Sequence, residues 1–274
     1  NYTMCKRCGH LNGAHEDNVK FINWLYSEKN RSDNYKAKTF YPYKDYNERV
    51  KKIYLPKVTF LKEVIKTKIN VLDIGAGGGY FLKALEIKNI DGIGYEPNKY
   101  LVNMGNKNIK KNKLINLSLN ESYKKVLDTN GANVLSMIGV LEHLNKPNYI
   151  LQLFKKSKIK YLYISVPTLS LSVLLENVFN NVFPRQLSGG HTHLYTKKSL
   201  DFLAKKNKLK IIGEWWFGTD FGDLYRSLLT SSKNYNFKKY KSIIDANLLS
   251  VIDKLQSVLD KRKICSEVHM VFKK

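Results

Sequence analysis

A glycine-rich segment, Val71-Leu-Asp-Ile-Gly-Ala-Gly-Gly-Gly-Tyr-Phe81, follows a short apolar run and precedes a helical pattern. Its glycines at 75, 77 and 79 allow the backbone to approach a ligand closely, and the helix offers free N–H groups. The dinucleotide pattern G-x-G-x-x-G would require a glycine at position 80, which is Tyr80. The spacing is instead D-x-G-x-G-x-G, and Asp73 favours a ligand with a cationic or amine-bearing end. A tight strand-to-helix turn without a ligand is the alternative.

Two further segments place polar groups after apolar runs. Gly92-Ile-Gly-Tyr-Glu-Pro97 contains the carboxylate of Glu96, 21 residues after Gly75. A carboxylate at that place can accept hydrogen bonds from both hydroxyls of a ribose. Leu135-Ser-Met-Ile-Gly-Val-Leu-Glu-His-Leu144 follows a later run and presents His143. In a parallel sheet the carboxyl ends of the strands meet at one edge, so these groups are expected to face one ligand site.

The elements that must position these residues alternate between strand and helix. Strands are predicted at 69–73, 92–95, 114–117, 132–138, 161–166, 209–217 and 265–272, with helical patterns at 48–66, 80–87 and 197–207. This alternation predicts an α/β fold with a doubly wound, mostly parallel sheet. The region 168–192 interrupts the alternation, and 219–262 is mostly helical. We therefore predict an N-terminal segment, 1–47, and one domain, 48–274, with insertions at 168–192 and 219–262.

Together the three motifs resemble the class I S-adenosylmethionine-dependent methyltransferases over residues 50–217. The resemblance implies a Rossmann-like sheet of about seven strands with helical insertions over the active site. It also implies that S-adenosylmethionine is the cofactor and S-adenosylhomocysteine the product. The glycine loop would hold the methionine end of the cofactor, and Glu96 the ribose. The implied cofactor-binding residues are Asp73, Gly75, Ala76, Gly77, Gly79, Glu96, Pro97, Asn120, Ile138 and Gly139.

Three histidines are the candidate catalytic residues. His143 follows the fourth predicted strand, and His191 and His193 lie in Gly189-Gly-His-Thr-His-Leu-Tyr-Thr196. The latter segment resembles part of the sugar C-methyltransferases, in which a histidine of a Y-H-E-H segment is proposed as the base. Thr192 and Gly190 replace the Glu and Tyr of that segment. A histidine suits removal of a hydroxyl proton; a purely structural role in capping a loop or helix is the alternative.

Substrate and metal residues are also predicted. Aromatic and charged residues around Asp220 and Arg226, together with Tyr195, are candidates for the acceptor pocket, although a packed strand end and a capped helix would give the same pattern. Cys5-Lys-Arg-Cys8-Gly-His10 is half of a zinc knuckle, so Cys5 and Cys8 are candidate ligands of a structural zinc, with His10 or His15 among the completing ligands. A turn that binds no metal is the alternative.

The net charge of the 274-residue chain is +24, which limits the classes of partner that the protein is expected to bind. Nucleic acid, an anionic membrane and a phosphate-bearing substrate all suit such a charge, but lysines interleaved with asparagines are also typical of solvated surfaces. The segment Met137-Ile-Gly-Val140 lacks the N/D-P-P-Y pattern of nucleic-acid amino methyltransferases, and no separate RNA-binding module is visible. We therefore expect neither a nucleic-acid partner nor a membrane span, and a cytoplasmic location.

The resulting hypothesis is an O-methyltransferase of a small anionic metabolite. The acceptor would be a nucleotide-linked sugar or another phosphate-bearing compound, as used in bacterial surface polysaccharide or capsule biosynthesis. C- or N-methylation of a nucleotide sugar is a second hypothesis. A non-catalytic methyltransferase-like module that binds RNA or a membrane surface is a third, which the intact glycine loop and Glu96 disfavour.

Overall fold

The strands of this protein form two sheets. The structure is a computed structural model, and it describes residues 2–13, 45–129, 131–179, 182, 185–187, 190–231, 241–243 and 245–274. The strands are β1 (Tyr2–Met4), β2 (Leu11–Gly13), β3 (Asn70–Ile74), β4 (Asp91–Glu96), β5 (Lys113–Asn116), β6 (Val134–Ile138), β7 (Tyr161–Pro167), β8 (His193–Leu194), β9 (Lys210–Phe217) and β10 (Glu267–Lys273). Seven of them form one sheet in the order β5-β4-β3-β6-β7-β10-β9, and β1-β2-β8 form a second.

The helices follow the predicted alternation. They are α1 (Tyr46–Arg49), α2 (Leu55–Val64), α3 (Tyr80–Ile87), α4 (Lys99–Asn106), α5 (Leu119–Asp128), α6 (Pro147–Lys156), α7 (Leu171–Val178), α8 (Lys197–Asn207), α9 (Asp220–Ser231) and α10 (Ser250–Lys261). A π-helical turn, Val50–Tyr54, joins α1 to α2. Local sequence explains several starts: Ser118 and Thr196 each form a capping box, at α5 and α8 respectively.

The large sheet is parallel through β5, β4, β3, β6 and β7, and β10 enters it antiparallel between β7 and β9. The central strands are apolar because helices cover both faces of the sheet. Strand β7, for example, is buried at every position after Tyr161. The predicted α/β class with a mostly parallel sheet of about seven strands is confirmed.

The small sheet was not predicted. Strand β2 pairs antiparallel with β8, so the N-terminal hairpin lies against the segment that contains His193. Strands of two or three residues leave too short a hydrophobic pattern to be read from sequence. His15, one of the candidate zinc ligands, lies outside the described residues. Within the described residues, no helix is both long and apolar enough to cross a bilayer.

Candidate functional site

The glycine loop turns directly at the end of β3. The N–H groups of Gly75 and Ala76 both donate to the carbonyl of Tyr95, at 2.9 and 3.1 Å, which fixes the loop against β4. Gly75 and Gly77 have φ of +72° and +54°, a left-handed conformation that favours glycine. A Cβ on Gly77 would meet no atom within 4 Å, so this side of the loop is open to a ligand.

Glu96 is buried at the end of β4 and is oriented by the backbone. One carboxylate oxygen accepts from the N–H of Gly77 and the other from the N–H of Asn98, both at 2.9 Å. The loop and the carboxylate are therefore one hydrogen-bonded unit. Each carboxylate oxygen can accept a second hydrogen bond, which leaves acceptor capacity for ribose hydroxyls.

Asp73 lies at the equivalent end of β3 and is 3% exposed. Its carboxylate accepts from the Ser136 hydroxyl at 2.5 Å. Burial is the main reason that the pKa of Asp73 rises to about 7; the nearby charge of Glu96 raises it further, and the Ser136 hydrogen bond opposes the rise. A cationic group of a ligand would offset this cost and favour the ionised form.

The remaining predicted cofactor residues lie around the same edge. Pro97 and Asn120 are exposed, and Ile138 is half-buried. The loop after β5 is attached to β4 because the N–H of Leu117 donates to the carbonyl of Glu96 at 3.2 Å. Gly139 has φ of +68° and begins the turn after β6. The contact of each of these residues with a cofactor stays a prediction.

Helix α1 packs against the glycine loop, a contact that the sequence did not reveal. The Tyr46 hydroxyl donates to the carbonyl of Gly78 at 3.0 Å, and its ring stacks on Tyr80 at 4.6 Å between centroids. The guanidinium of Arg49 lies 4.9 Å from the Tyr80 ring centroid. The predicted domain boundary, 47/48, lies inside this helix. Only the long-range contact with the glycine loop identifies these residues.

Beyond the cofactor loop, the turn after β6 brings together Glu142, His143 and His191. One ligand atom from each lies within 4.8 Å of the other two, and the two imidazole centroids are 4.7 Å apart. This turn contacts the glycine loop, because a Cβ on Gly75 would lie 2.6 Å from Cγ2 of Val140. Two of the predicted catalytic histidines therefore meet beside the predicted cofactor site. Glu142, which sequence reasoning had not singled out, lies with them.

The third histidine has a different environment. Nε2 of His193 donates to the carbonyl of Leu144 at 2.8 Å, and Nδ1 lies 3.1 Å from Nε2 of His10. Its ring thus attaches the N-terminal hairpin to the domain. This geometry favours a docking role for His193; a catalytic role stays a prediction.

Tyr195 is the first of the three residues predicted to line the acceptor pocket. Tyr195 is 2% exposed, and its hydroxyl has no hydrogen-bond partner among the described residues. Burial, with a contribution from the charge of Glu142, raises its pKa far above the usual range. The Tyr195 ring lies 4.7 Å from that of His10, between centroids. Substrate contact by Tyr195 stays a prediction.

Asp220 is fully buried and accepts hydrogen bonds from the chain itself. The donors are the backbone N–H and hydroxyl of Ser172, the Gln256 amide and the N–H of Ser266. This geometry favours a structural role that joins the two insertions. Arg226 lies 3.6 Å from Asp223, which also pairs with Arg185 at 2.8 Å. Substrate contact by Asp220 or Arg226 stays a prediction.

Cys5 and Cys8 belong to the turn between β1 and β2, which is closed by hydrogen bonds from Cys5 N–H to His10 O and from Gly9 N–H to Cys5 O, both 2.8 Å. Within the described ranges these thiols join no group of three or more metal-ligating side chains. A four-ligand zinc site there would need ligands from elsewhere. Zinc at Cys5 and Cys8 stays a prediction.

A buried polar network behind the site also escaped sequence reasoning. Lys57 lies 3.9 Å from Glu267, and Glu267 lies 3.2 Å from Nε2 of His269. The Tyr163 hydroxyl is 2.8 Å from Nδ1 of His269. Burial lowers the pKa of His269 to about 4, helped by the positive charge of Lys57. These residues come from α2, β7 and β10, so no local pattern could have grouped them.

Comparison with known families agrees with this geometry. The family described as the methyltransferase domain matches residues 46–213. The chain belongs to this family. The match begins at Tyr46, the first residue of α1, and therefore includes the helix that contacts the glycine loop.

Solved structures of methyltransferases share the fold of this methyltransferase. A SAM-dependent methyltransferase from Archaeoglobus fulgidus is 19% identical with a TM-score of 0.52, covering 80% of this chain and 92% of that one. The plantazolicin methyltransferase BpumL in complex with SAH and a substrate analogue is 15% identical with a TM-score of 0.53, covering 92% and 93%.

A third similar structure is the magnesium protoporphyrin IX methyltransferase of Synechocystis PCC 6803 with bound SAH. It is 11% identical with a TM-score of 0.54, covering 74% of this chain and 95% of that one. No curated protein matches the chain by sequence. The predicted family, the Rossmann-like fold and the dependence on S-adenosylmethionine are confirmed.

Proposed function

We propose that this methyltransferase transfers the methyl group of S-adenosylmethionine to a hydroxyl oxygen of a small metabolite. The observation that supports it is the group of Glu142, His143 and His191 beside the glycine loop. An alcohol must lose its proton as it attacks, and a group that accepts or stabilises that proton is needed at this place. Carbon and nitrogen acceptors are the alternative outcomes of the test.

The chain's own residues would bind and orient the cofactor. S-adenosylmethionine supplies an activated methyl group on a sulfonium when bound. Glu96 would accept the ribose hydroxyls, and Asp73 would face the cationic methionine end. The open side of Gly77 fits a ligand, because nothing within 4 Å fills the space that a Cβ would occupy. Holding acceptor and methyl in line is then mainly a matter of position.

An anionic acceptor, phosphate-bearing or nucleotide-linked, is the substrate class that we propose. The net charge of +24 attracts such compounds. An activated sugar used for bacterial surface polysaccharide or capsule, in the cytoplasm, is the specific proposal.

The test uses the full chain with methyl-labelled S-adenosylmethionine and a panel of nucleotide sugars and sugar phosphates. We expect label in a product whose methyl resonance is that of an O-methyl ether or ester. A product with a C-methyl or N-methyl resonance would overturn O-methylation. Absence of S-adenosylhomocysteine binding by calorimetry would overturn the enzymatic proposal itself.

The matched variants are Glu96→Ala, which removes the ribose carboxylate, and Glu63→Ala, which removes an exposed carboxylate on α2. Only the first should lose labelled product at limiting cofactor concentration.

A further inference from the structure

The imidazoles of His143 and His191 are held in the tautomer that suits a metal ligand. Nδ1 of His143 lies 2.5 Å from the carbonyl of Gly190, and Nδ1 of His191 lies 2.8 Å from the carbonyl of Gln186. A carbonyl can only accept, so each Nδ1 bears the proton and each Nε2 has the lone pair. A hydrogen bond of this kind to the distal ring nitrogen orients most metal-binding histidines.

Glu142 supplies a buried carboxyl group with an oxygen that has no partner among the described residues. It is 4% exposed, and the oxygen without a hydrogen-bond partner is Oε2. Lys57, a cation near it, lies instead 3.9 Å from Glu267. Burying an ionised carboxylate without a partner is costly. A bound cation would remove that cost.

The spacing suits a single ion. The three ligand atoms lie within 4.8 Å of one another, and ligand atoms at about 2.1 Å from a tetrahedral ion lie about 3.4 Å apart. The limit of 4.8 Å therefore admits one ion shared by the three side chains. The thiols of Cys5 and Cys8 are not part of this group.

We propose that Glu142, His143 and His191 bind one divalent cation of the manganese or zinc class at the acceptor end of the active site. Two imidazoles and one carboxylate leave coordination positions open, as catalytic sites require. The turn that contains Glu142 contacts Gly75 through Val140, so the cation would lie beside the cofactor loop.

The role of the cation rests on the proposed function. An acceptor hydroxyl bound in an open position would be more acidic, and its proton would pass to solvent. The resulting oxygen would form a bond to the methyl carbon as the methyl–sulfur bond breaks, and S-adenosylhomocysteine would leave. A neighbouring hydroxyl or carboxylate of the acceptor could occupy a second position, so a vicinal diol or a hydroxy acid is the preferred acceptor class.

Manganese binding to the full chain, after treatment with a chelator and its removal, tests the inference. Mn²⁺ is the probe because a carboxylate suits it whereas thiolates select other metals, so that Cys5 and Cys8 should not compete for it. Electron paramagnetic resonance counts the free ion. We expect one Mn²⁺ per chain, with the dissociation constant raised at least tenfold by Glu142→Gln and by His191→Gln, since even indirect partners of a ligand are worth about that much.

Two controls make the result decisive. Glu63→Gln removes an exposed carboxylate and should bind Mn²⁺ like the wild type. Calorimetry with S-adenosylhomocysteine in the presence of chelator reports whether each variant is folded and has its cofactor site. Two results would overturn the cation site. One is binding of less than one Mn²⁺ per wild-type chain, and the other is wild-type affinity for Mn²⁺ in both Glu142→Gln and His191→Gln.

The two proposals can fail separately. If S-adenosylhomocysteine binds and Mn²⁺ does not, the cation site is wrong and the methyltransferase proposal stands. If Mn²⁺ binds and S-adenosylhomocysteine does not, the proposed function is wrong and the cation site stands. If both bind, methyl transfer to the identified acceptor should be lost with chelator and restored by Mn²⁺; transfer that persists with chelator would overturn the role of the cation.

Discussion

The predicted cofactor side and the proposed acceptor side of the site are built in different ways. On the cofactor side, Asp73, the glycine loop and Glu96 come from two consecutive strands, and backbone hydrogen bonds hold the loop to β4. On the acceptor side, His143 meets Gly190 across 47 residues, and Glu142 meets Thr192 across 50. The first depends on a local turn, whereas the second depends on where an insertion docks.

This difference separates what is general from what is specific to this enzyme. A loop fixed by its own backbone can bind the same cofactor in proteins that differ elsewhere. A pocket assembled from an insertion can change with the insertion, and with it the acceptor. Variants that damage one side should therefore leave the other nearly intact.

The largest expected effect is on turnover, from the acceptor side. His143→Ala or His191→Ala should lower the rate by about 10²–10⁴, as for loss of a general base or its equivalent. S-adenosylhomocysteine affinity should barely change. Initial rates and calorimetry on the same preparations provide the measurement.

His193→Ala is the matched control for these variants, because its ring contacts Leu144 and His10 rather than the group at Glu142. Its rate loss should be much smaller. Near-normal rates for all three variants across pH 6–9 would mean that no histidine participates, and an acceptor oxygen that is already ionised would then be favoured.

The next effect is on cofactor affinity. Glu96→Ala should raise the dissociation constant of S-adenosylhomocysteine about tenfold or more, since a charged hydrogen bond contributes about 1.5–3 kcal/mol. Part of the loss comes from the N–H groups of Gly77 and Asn98, which lose their acceptor. An unchanged dissociation constant would refute the ribose assignment.

Substitutions at Gly75 and Gly77 test whether a change on the cofactor side also affects the acceptor side. Gly75→Ala and Gly77→Ala both force a left-handed residue, at a cost of about 1–2 kcal/mol. Only the first also drives a Cβ to 2.6 Å from Val140, next to Glu142. Gly75→Ala should lower both thermal stability and turnover, whereas Gly77→Ala should mainly weaken cofactor binding. Equal melting temperatures for the two variants would show that the Val140 contact is easily relieved.

A smaller effect concerns pH and cofactor binding. Burial raises the pKa of Asp73 to about 7. At lower pH this carboxyl group must therefore lose a proton before it can pair with a cationic ligand. Affinity for S-adenosylhomocysteine should be full above pH 7 and fall below it, by at most about tenfold per pH unit. Asp73→Asn should bind weakly with a flat profile. A flat wild-type profile from pH 5.5 to 8 would contradict this assignment.

The smallest effect concerns stability. The folded pKa of His269 is about 4, below the unfolded value of 6.5, so folding favours the neutral imidazole. Its contribution is complete above pH 6.5 and is lost as pH falls toward 4. Each 1 kcal/mol lost lowers Tm by roughly 2–4 °C for a chain of this size. His269→Asn should flatten Tm between pH 6.5 and 4.5; an unaltered pH profile would exclude His269 as the cause.

Sequence reasoning reached the cofactor side because its signals are local. The positive φ at Gly75 and Gly77 requires glycine, and alternation of apolar strands with helices reveals a parallel sheet. It missed Tyr46 and Arg49, because a short helix before the first strand of the large sheet contains no pattern that points to a loop 32 residues away. It also missed the β1-β2-β8 sheet, whose strands are too short to show periodicity.

The sequence alone determined the fold class, the methyltransferase family and the cofactor, because each depends on residues that are neighbours in the chain or on strand periodicity. The tertiary structure decided which histidines meet. His191 and His193 are two residues apart and look equivalent in sequence, yet they lie in different surroundings, with Glu142 and with His10 respectively. Residues two apart share one face of a strand, but only His193 belongs to β8, and His191 lies before it. The path of the chain where it docks on the turn after β6 therefore takes His191 to Glu142, and no local pattern in the sequence specifies that path.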